Sequence, residues 1–401
     1  MTKVTTTTSP TSMKLSRRKV LKALAGVSVN AALGLSALAP TLSFAQTDSK
    51  NILIWITLRG AMDGLNVVVP HGDSDYQSHR PSIHLKPSQT NSLDSFFGLH
   101  PALTHTYDLY QKGEAAFIHA AATQYRSRSH FDGQKVLENG TSDPYERTGW
   151  LNRAIQIHDR FEAIAIDSGS PLILQGDKQV SSWYPNNLKM REQQVQLLEE
   201  LFQSDEKLSA NFEQVLMIEN MTGESVNGRQ FKALATQAGH FLQSEAGPNI
   251  AVLELGGWDT HSAQGSVQGR LANQLKKLDI GISALKTTLG DAWQRTTLIA
   301  ASEFGRTVEE NGTKGTDHGT GNALMLAGGA IKGGKVIANW PGLAKADLYQ
   351  ERDLKPTTNT NDVIAEVLNQ HLGFSSSDIS KIFPGSSIVE RGDALKLFKT
   401  S

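Results

Sequence analysis

Residues 250–307 carry, in order, Ile250-Ala251-Val252-Leu253-Glu254-Leu255, the loop Gly256-Gly257-Trp258-Asp259-Thr260-His261, a longer stretch in which Val267, Leu271, Leu275, Leu278, Ile282, Leu285 and Leu289 recur, and then Thr297-Leu298-Ile299-Ala300-Ala301 leading into Ser302-Glu303-Phe304-Gly305-Arg306-Thr307. The two outer runs are short, apolar and β-prone. The steps of four and three between them describe one apolar stripe along a helix packed on a sheet. Strand, helix, strand is the unit of an α/β fold, and it predicts a mostly parallel sheet sandwiched between helices.

Ile52 to Leu58, Ala115 to Ala121 and Ala323 to Ala327 are further short apolar runs of the same kind. The stretch from about 189 to 243 is rich in Gln, Glu and Leu and reads as a helical insertion between strands. Near the end, Asn361-Asp362 precedes Val363, Ile364, Val367 and Leu368, a capped amphipathic helix that closes at Gly373. No internal repeat or linker is visible. The economical division is one α/β domain over residues 46–401 carrying that insertion.

The polar residues follow the strands. Arg59-Gly60-Ala61-Met62-Asp63-Gly64 comes after the first run, and the Asp259 and Glu303 loops come after theirs. Thr316-Asp317-His318-Gly319-Thr320-Gly321 comes just before Ala323. Parallel α/β sheets bind ligands at the carboxyl ends of their strands. Three clusters therefore fall where a site belongs, and the fourth can loop back to join them. Asp63, Asp259, His261, Glu303, Asp317 and His318 are the oxygen and nitrogen donors a divalent cation takes when no thiolate exists, and the chain has no cysteine. Zinc, calcium and manganese all suit this set. Each residue has a plainer reading: Asp63-Gly64 as a turn, Glu303 as a partner of Arg306, His318 as a helix cap. Four clusters with one strand relationship favour a shared site.

After Ala115 to Ala121 comes Tyr125-Arg126-Ser127-Arg128-Ser129-His130-Phe131-Asp132, opening a helix through Val136 and Leu137. A hydroxyl at a helix amino terminus between arginines suits an oxyanion. Ser129 is thus a candidate nucleophile, with Arg126, Arg128 and Arg306 to hold the anion; the alternative is a helix cap with solvated arginines. Gly329-Ala330-Ile331-Lys332-Gly333-Gly334-Lys335 imitates a P-loop, but Val336 lacks the hydroxyl. Gly319-Thr320-Gly321 has Leu324 where a dinucleotide fingerprint has glycine, and it precedes its strand. No nucleophile elbow and no His-Glu-x-x-His pair occurs.

Composition bounds the rest. The chain has 401 residues, 39% hydrophobic and 20% charged, which excludes a disordered tail and a coiled coil. All six cations before Ala45 lie in a stretch without acids. Removing them leaves 33 basic against 40 acidic residues, a net −7 that argues against nucleic acid as a partner. Ser16-Arg17-Arg18-Lys19-Val20-Leu21-Lys22 places paired arginines before the apolar run Ala23 to Ala39, which is too short and too interrupted for a comfortable membrane span. Ser43-Phe44-Ala45 supplies small residues for cleavage. The segment resembles a twin-arginine export signal over residues 1–45, which implies a periplasmic protein with no stable membrane span after cleavage. The plainer alternative is a general secretory signal.

Taken together, these segments resemble the domain of unknown function 1501 family, described as sulfatase-like and placed in the alkaline phosphatase superfamily. The likeness runs over roughly Asn51 to Pro384. It implies an alkaline phosphatase-like sheet with one or two divalent cations at the strand ends. Asp63 then resembles the first metal Asp, Ser129 the hydroxyl nucleophile, Asp259 and His261 later ligands, and His318 the closing His. Glu303 and Phe304 stand where the superfamily has Asp and His, which weakens a second metal site. Neither Ser127 nor Ser129 opens the formylglycine motif, so ordinary sulfatase chemistry is not expected. The resemblance implies a metal-dependent hydrolase or transferase of phosphate-type or sulfate-type esters, on a small-molecule or polymer substrate. The opposing reading is a non-catalytic periplasmic scaffold or binding protein. Either would suit a second exported protein as partner.

Overall fold

The computed structural model describes residues 51–185, 230–384 and 395–399. The segment read as an export signal lies outside them, as do residues 189–229 of the stretch read as a helical insertion. Of the remainder of that stretch, Phe231–Gln243 is a helix.

The strands are β1 Ile52–Arg59, β2 Val68–Val69, β3 Asn91–Ser92, β4 Gly98–Leu99, β5 Ala115–Ala122, β6 Ala163–Ala165, β7 Ser181–Ser182, β8 Ile250–Gly256, β9 Thr296–Ala301, β10 Asn322–Ala327, β11 Lys335–Ile337 and β12 Thr358–Asn359. The main sheet runs β11-β5-β10-β9-β1-β8-β6-β7, with β12 also on β5; β2, β4 and β3 form a small separate sheet. At the centre, β1 lies parallel to both β8 and β9, with Trp55 opposite Val252 and Ile299. Alternate side chains of β1 enter opposite cores: Ile52, Ile54, Ile56 and Leu58 on one face, Leu53 and Trp55 on the other. Burial on both faces explains why its sequence is almost continuously apolar. The fold is α/β, a mixed central sheet flanked by helices.

On the first face lies the helix Arg270–Leu289, whose Leu271, Leu275, Leu278, Ile282, Leu285 and Leu289 are all fully buried. Each such side chain contributes about 2 kcal/mol by leaving water. The helices Trp150–Ile157 and Thr360–Leu372 cover the second face. Thr360–Leu372 starts slightly earlier than the sequence indicates: Asn359 is the cap, accepting from the Asn361 amide, and Gly373 at φ +75° closes the helix.

One strand departs from the parallel pattern. β10 is antiparallel to both β5 and β9, while β5, β6, β8, β9, β11 and β12 pair parallel to their other neighbours. Its start therefore sits at the rim where β1, β5, β8 and β9 end. That reversal brings the Thr316 to Gly321 segment to the same rim as the other polar loops.

Candidate metal centre

Each loop at this rim is held by identifiable contacts. After β8, Trp258 is fully buried and its indole N–H donates to the Leu255 carbonyl at 2.7 Å, which fixes the loop that carries Asp259 and His261. The loop after β1 passes directly beneath: a Cβ on Gly60, which has φ +118°, would lie 2.8 Å from the Asp259 amide nitrogen. After β9, Gly305 donates to Thr320 O at 3.0 Å, Gly319 to Gly305 O at 2.8 Å and Thr307 to Asp317 O at 2.9 Å. This short ladder returns the chain past Arg306 and presents His318. After β5, Arg128 adopts φ +59°, a left-handed conformation uncommon for a residue with a side chain. Its carbonyl accepts from His318 Nδ1 at 3.0 Å. Ser129 then occupies the cap position of the helix His130–Asn139.

Three imidazoles and one carboxylate converge here. His318 Nε2 lies 2.9 Å from His130 Nε2 and 2.9 Å from His261 Nε2. Asp259 Oδ1 is 3.0 Å from His261 Nε2 and 3.4 Å from His318 Nε2, and Asp259 Oδ2 is 3.5 Å from His130 Nε2. Ligand atoms of His130, Asp259 and His318 all fall within 4.8 Å of one another. The other nitrogen of each ring faces an acceptor: His130 Nδ1 meets Glu303 Oε1 at 2.7 Å, His261 Nδ1 meets Asp317 Oδ1 at 3.2 Å, and His318 Nδ1 meets the Arg128 carbonyl. In the neutral rings Nδ1 then carries the proton, so the Nε2 atoms of His130 and His261 each face that of His318, beside Asp259. Facing lone pairs repel unless a proton or a cation lies between them. A metal-binding histidine characteristically gives its second N–H to a carboxylate or carbonyl in this way. The residues present therefore fit a divalent cation.

The outer groups tune this set. Glu303 is buried; its Oε1 also accepts from the Gly60 amide at 2.9 Å and its Oε2 from the Ser302 hydroxyl at 3.0 Å. The bond from Glu303 raises the pKa of His130 above the usual imidazole value, whereas burial, followed by the charge of His130, lowers that of His318. Burial alone would raise the Asp259 carboxyl. The hydrogen bond from Arg306 Nη1, 2.6 Å from Oδ1, and the Arg306 charge outweigh it and hold Asp259 below the ordinary range. Asp317 is held low as well, first by its bond from Asn311.

Of the six residues the sequence nominates as ligands, Asp259, His261 and His318 meet at this point, and Glu303 and Asp317 stand behind His130 and His261 as acceptors. Asp63 is a correction. Its carboxylate is buried and forked by Arg80, with Nη1 2.6 Å from Oδ2 and Nη2 3.0 Å from Oδ1, and Gln264 Nε2 donates to Oδ2 at 2.6 Å. Both its oxygens are committed to a guanidinium. The arginines are likewise engaged. Arg306 is buried against Asp259 and Thr316, not aimed at an anion. Arg128 pairs with buried Asp353 at 2.7 Å and with Gln350. Arg126 donates to the Thr123 and Tyr125 carbonyls and, among the described residues, has no carboxylate partner. Ser129 is at the helix amino terminus as expected, and its side chain makes no capping bond.

His130 is the residue the ligand reading missed. Its ring stacks on Phe304, with centroids 5.0 Å apart and planes at 27°. Phe304 thus forms a flat wall that orients an imidazole supplied from another element. Gly133, one turn on, makes room, since a Cβ there would come within 2.9 Å of the Phe304 ring. At the ends of β6 and β8 lies a cavity of about 650 Å³ lined by Ile166, Asp167, Phe231, Leu234, Glu254 and Gly256, none of which belongs to the cluster. Its size suits a small organic group. Burial raises the Glu254 carboxyl there, against the opposing pull of Arg59 at 3.5 Å. Among the described residues no helix is long and apolar enough to cross a membrane.

Among curated proteins, none matches this sequence. Several solved structures are similar in fold. One is the C-terminal periplasmic domain of EcEptC from Escherichia coli in complex with Zn, at 11% identity, covering 74% of this chain and 77% of that one with a TM-score of 0.38. Another is the lipoteichoic acid synthase LtaP from Listeria monocytogenes, at 10% identity, covering 96% and 82% with a TM-score of 0.40. A third is a protein in the alkaline phosphatase superfamily from Vibrio parahaemolyticus, at 12% identity, covering 88% and 75% with a TM-score of 0.37. At such identities and scores the likeness bears on neither activity nor ligand. The sequence itself matches one family over residues 50–383, and the chain belongs to that family, described as a protein of unknown function (DUF1501).

Proposed function

We propose that this chain is an exported, metal-dependent hydrolase or transferase acting on phosphate-type or sulfate-type esters. The observation that carries the reading is the meeting of three imidazoles at the Asp259 carboxylate, each ring backed by an acceptor of its own. His130, Asp259 and His318 would hold one divalent cation, with His261 beside His318 at its edge. A set led by imidazole nitrogens favours zinc or manganese over calcium, which prefers oxygen. When bound, such a cation would polarise an ester oxygen and lower the pKa of a neighbouring hydroxyl.

The chain's own groups would do the rest. Ser129, adjacent to His130 and not spent on capping its helix, would form a bond from Oγ to phosphorus or sulfur as the ester oxygen leaves and takes up the hydroxyl proton; water would then break the Oγ bond, return a proton to Ser129 and release the anion. Amide groups at the start of the helix His130–Asn139 offer donors to that anion. Arg126, whose charge has no carboxylate partner among the described residues, would balance it. The Arg17-Arg18 segment supports export to the periplasm.

The test uses protein recovered from the periplasmic fraction, which also checks the export. Elemental analysis should find one zinc or manganese per chain, and chromogenic phosphate monoesters, phosphate diesters and sulfate esters should be turned over. Ser129→Ala should keep the metal and lose turnover by about a thousandfold or more; His318→Ala should lose both. Metal without turnover on any ester would sink the catalytic reading and leave a binding protein.

A further inference from the structure

A chain of buried polar groups runs from Arg80 to the rim, and none of its members is more than 1% exposed until it reaches Asp259. Arg80 is fixed by its fork on Asp63, by the Thr307 and Val308 carbonyls at 2.8 Å each, and by Asn66 Oδ1 at 2.6 Å. Asp63 Oδ2 accepts from Gln264 Nε2 at 2.6 Å. Gln264 Oε1 accepts from the Thr260 hydroxyl at 2.7 Å and the Thr316 hydroxyl at 2.9 Å. Thr316 Oγ1 in turn accepts from Arg306 Nε at 3.1 Å, and the Thr316 carbonyl accepts from Arg306 Nη2. Arg306 Nη1 donates to Asp259 Oδ1.

The polarity of this chain is fully determined. A carboxylate only accepts, so the Gln264 amide must turn its NH2 to Asp63 and its oxygen to the threonines. Both threonine hydroxyls must then donate to that oxygen, which leaves a Thr316 lone pair for Arg306. Flipping any one amide or hydroxyl would set acceptor against acceptor in a dry interior, where an unmade bond costs most. Asp259 is the sole carboxylate among the four converging groups and is itself partly exposed, so its orientation depends on what holds Arg306.

We propose that Gln264 and Thr316 are positioning residues for the cation: through Arg306 they fix the Asp259 carboxylate against His318 and His261. This rests on the cation reading above. Cobalt(II) serves as the probe, titrated into metal-free protein, with the visible absorption of the bound ion reporting its surroundings. Thr316→Val keeps the side-chain volume and removes the hydroxyl. It should raise the cobalt dissociation constant about tenfold, as outer partners of metal ligands do, and alter the spectrum. Thr316→Ser restores the hydroxyl and should bring both back to within about twofold of wild type. Gln264→Met should behave like the valine variant.

If Thr316→Val melts at a lower temperature but binds cobalt with unchanged affinity and spectrum, the residue is merely structural and the proposal is wrong. A serine variant as weak as the valine variant overturns it too. Wild-type protein that binds no cobalt at one per chain removes the cation reading, and the positioning role falls with it.

Discussion

Glu303→Gln separates a histidine held as a ligand from one that is merely packed. The Glu303 carboxylate accepts from the Gly60 amide at 2.9 Å, from His130 Nδ1 at 2.7 Å and from the Ser302 hydroxyl at 3.0 Å. Glutamine keeps an oxygen for the first two and places an NH2 where the Ser302 oxygen can accept it, so the shape is preserved and the charge is lost. A hydrogen bond to an ionised group contributes about 1.5–3 kcal/mol against about 0.5–1.5 for a neutral one. The difference between the middles of these ranges, about 1.25 kcal/mol, approaches tenfold in an equilibrium constant. The zinc dissociation constant, measured by competition with a chromogenic chelator at fixed pH, should therefore rise about tenfold with little change in fold. An affinity within about twofold of wild type would mean that His130 owes nothing to its carboxylate and does not ligate through Nε2.

Arg80→Met leaves the buried Asp63 carboxylate without its guanidinium and should cost about 3–5 kcal/mol in chemical denaturation, with part recovered on adding Asp63→Asn; a loss under about 1 kcal/mol would show that the pair is not the anchor its geometry indicates. His371 is buried, donates from Nε2 to the Ile52 carbonyl at 2.9 Å, and has its pKa lowered by that burial to about 4. The unfolded chain takes up the proton first, so metal-free protein should lose stability as pH falls from about 6.5 toward 4, by about 3 kcal/mol from this group. His371→Gln, which keeps a donor for Ile52, should flatten that slope in thermal melts across pH, and an unchanged slope would remove His371 as its source.

The parts of this molecule that are legible in its sequence are those whose physics is local. β1, β5, β8, β9 and β10 are read from apolar runs of five to seven residues within strands of six to eight, whereas β7 and β12 have two residues each and no periodicity to read. The reversal of β10 is not local: direction is set by which strands it pairs with, so the sequence places His318 before a strand without saying at which end of the sheet.

Asp63 and His130 show the same limit in opposite directions. Asp63 has the right chemistry at the right strand end, yet Arg80, 17 residues on, claims it. A cation from solution would have to displace a buried guanidinium that has nowhere else to put its charge, and such an exchange is unfavourable in a dry interior. His130 lies within a motif whose serine draws attention. The signal that could have found it is negative: Phe304, where an imidazole is expected, removes a ligand from one loop and at the same time supplies the ring face on which another loop's histidine rests. A guanidinium seated on a buried carboxylate removes a candidate ligand, and an aromatic face under an imidazole marks one. The residues to doubt are therefore those with a nearby buried counter-charge, and the residues to add are those that stack on the vacancy.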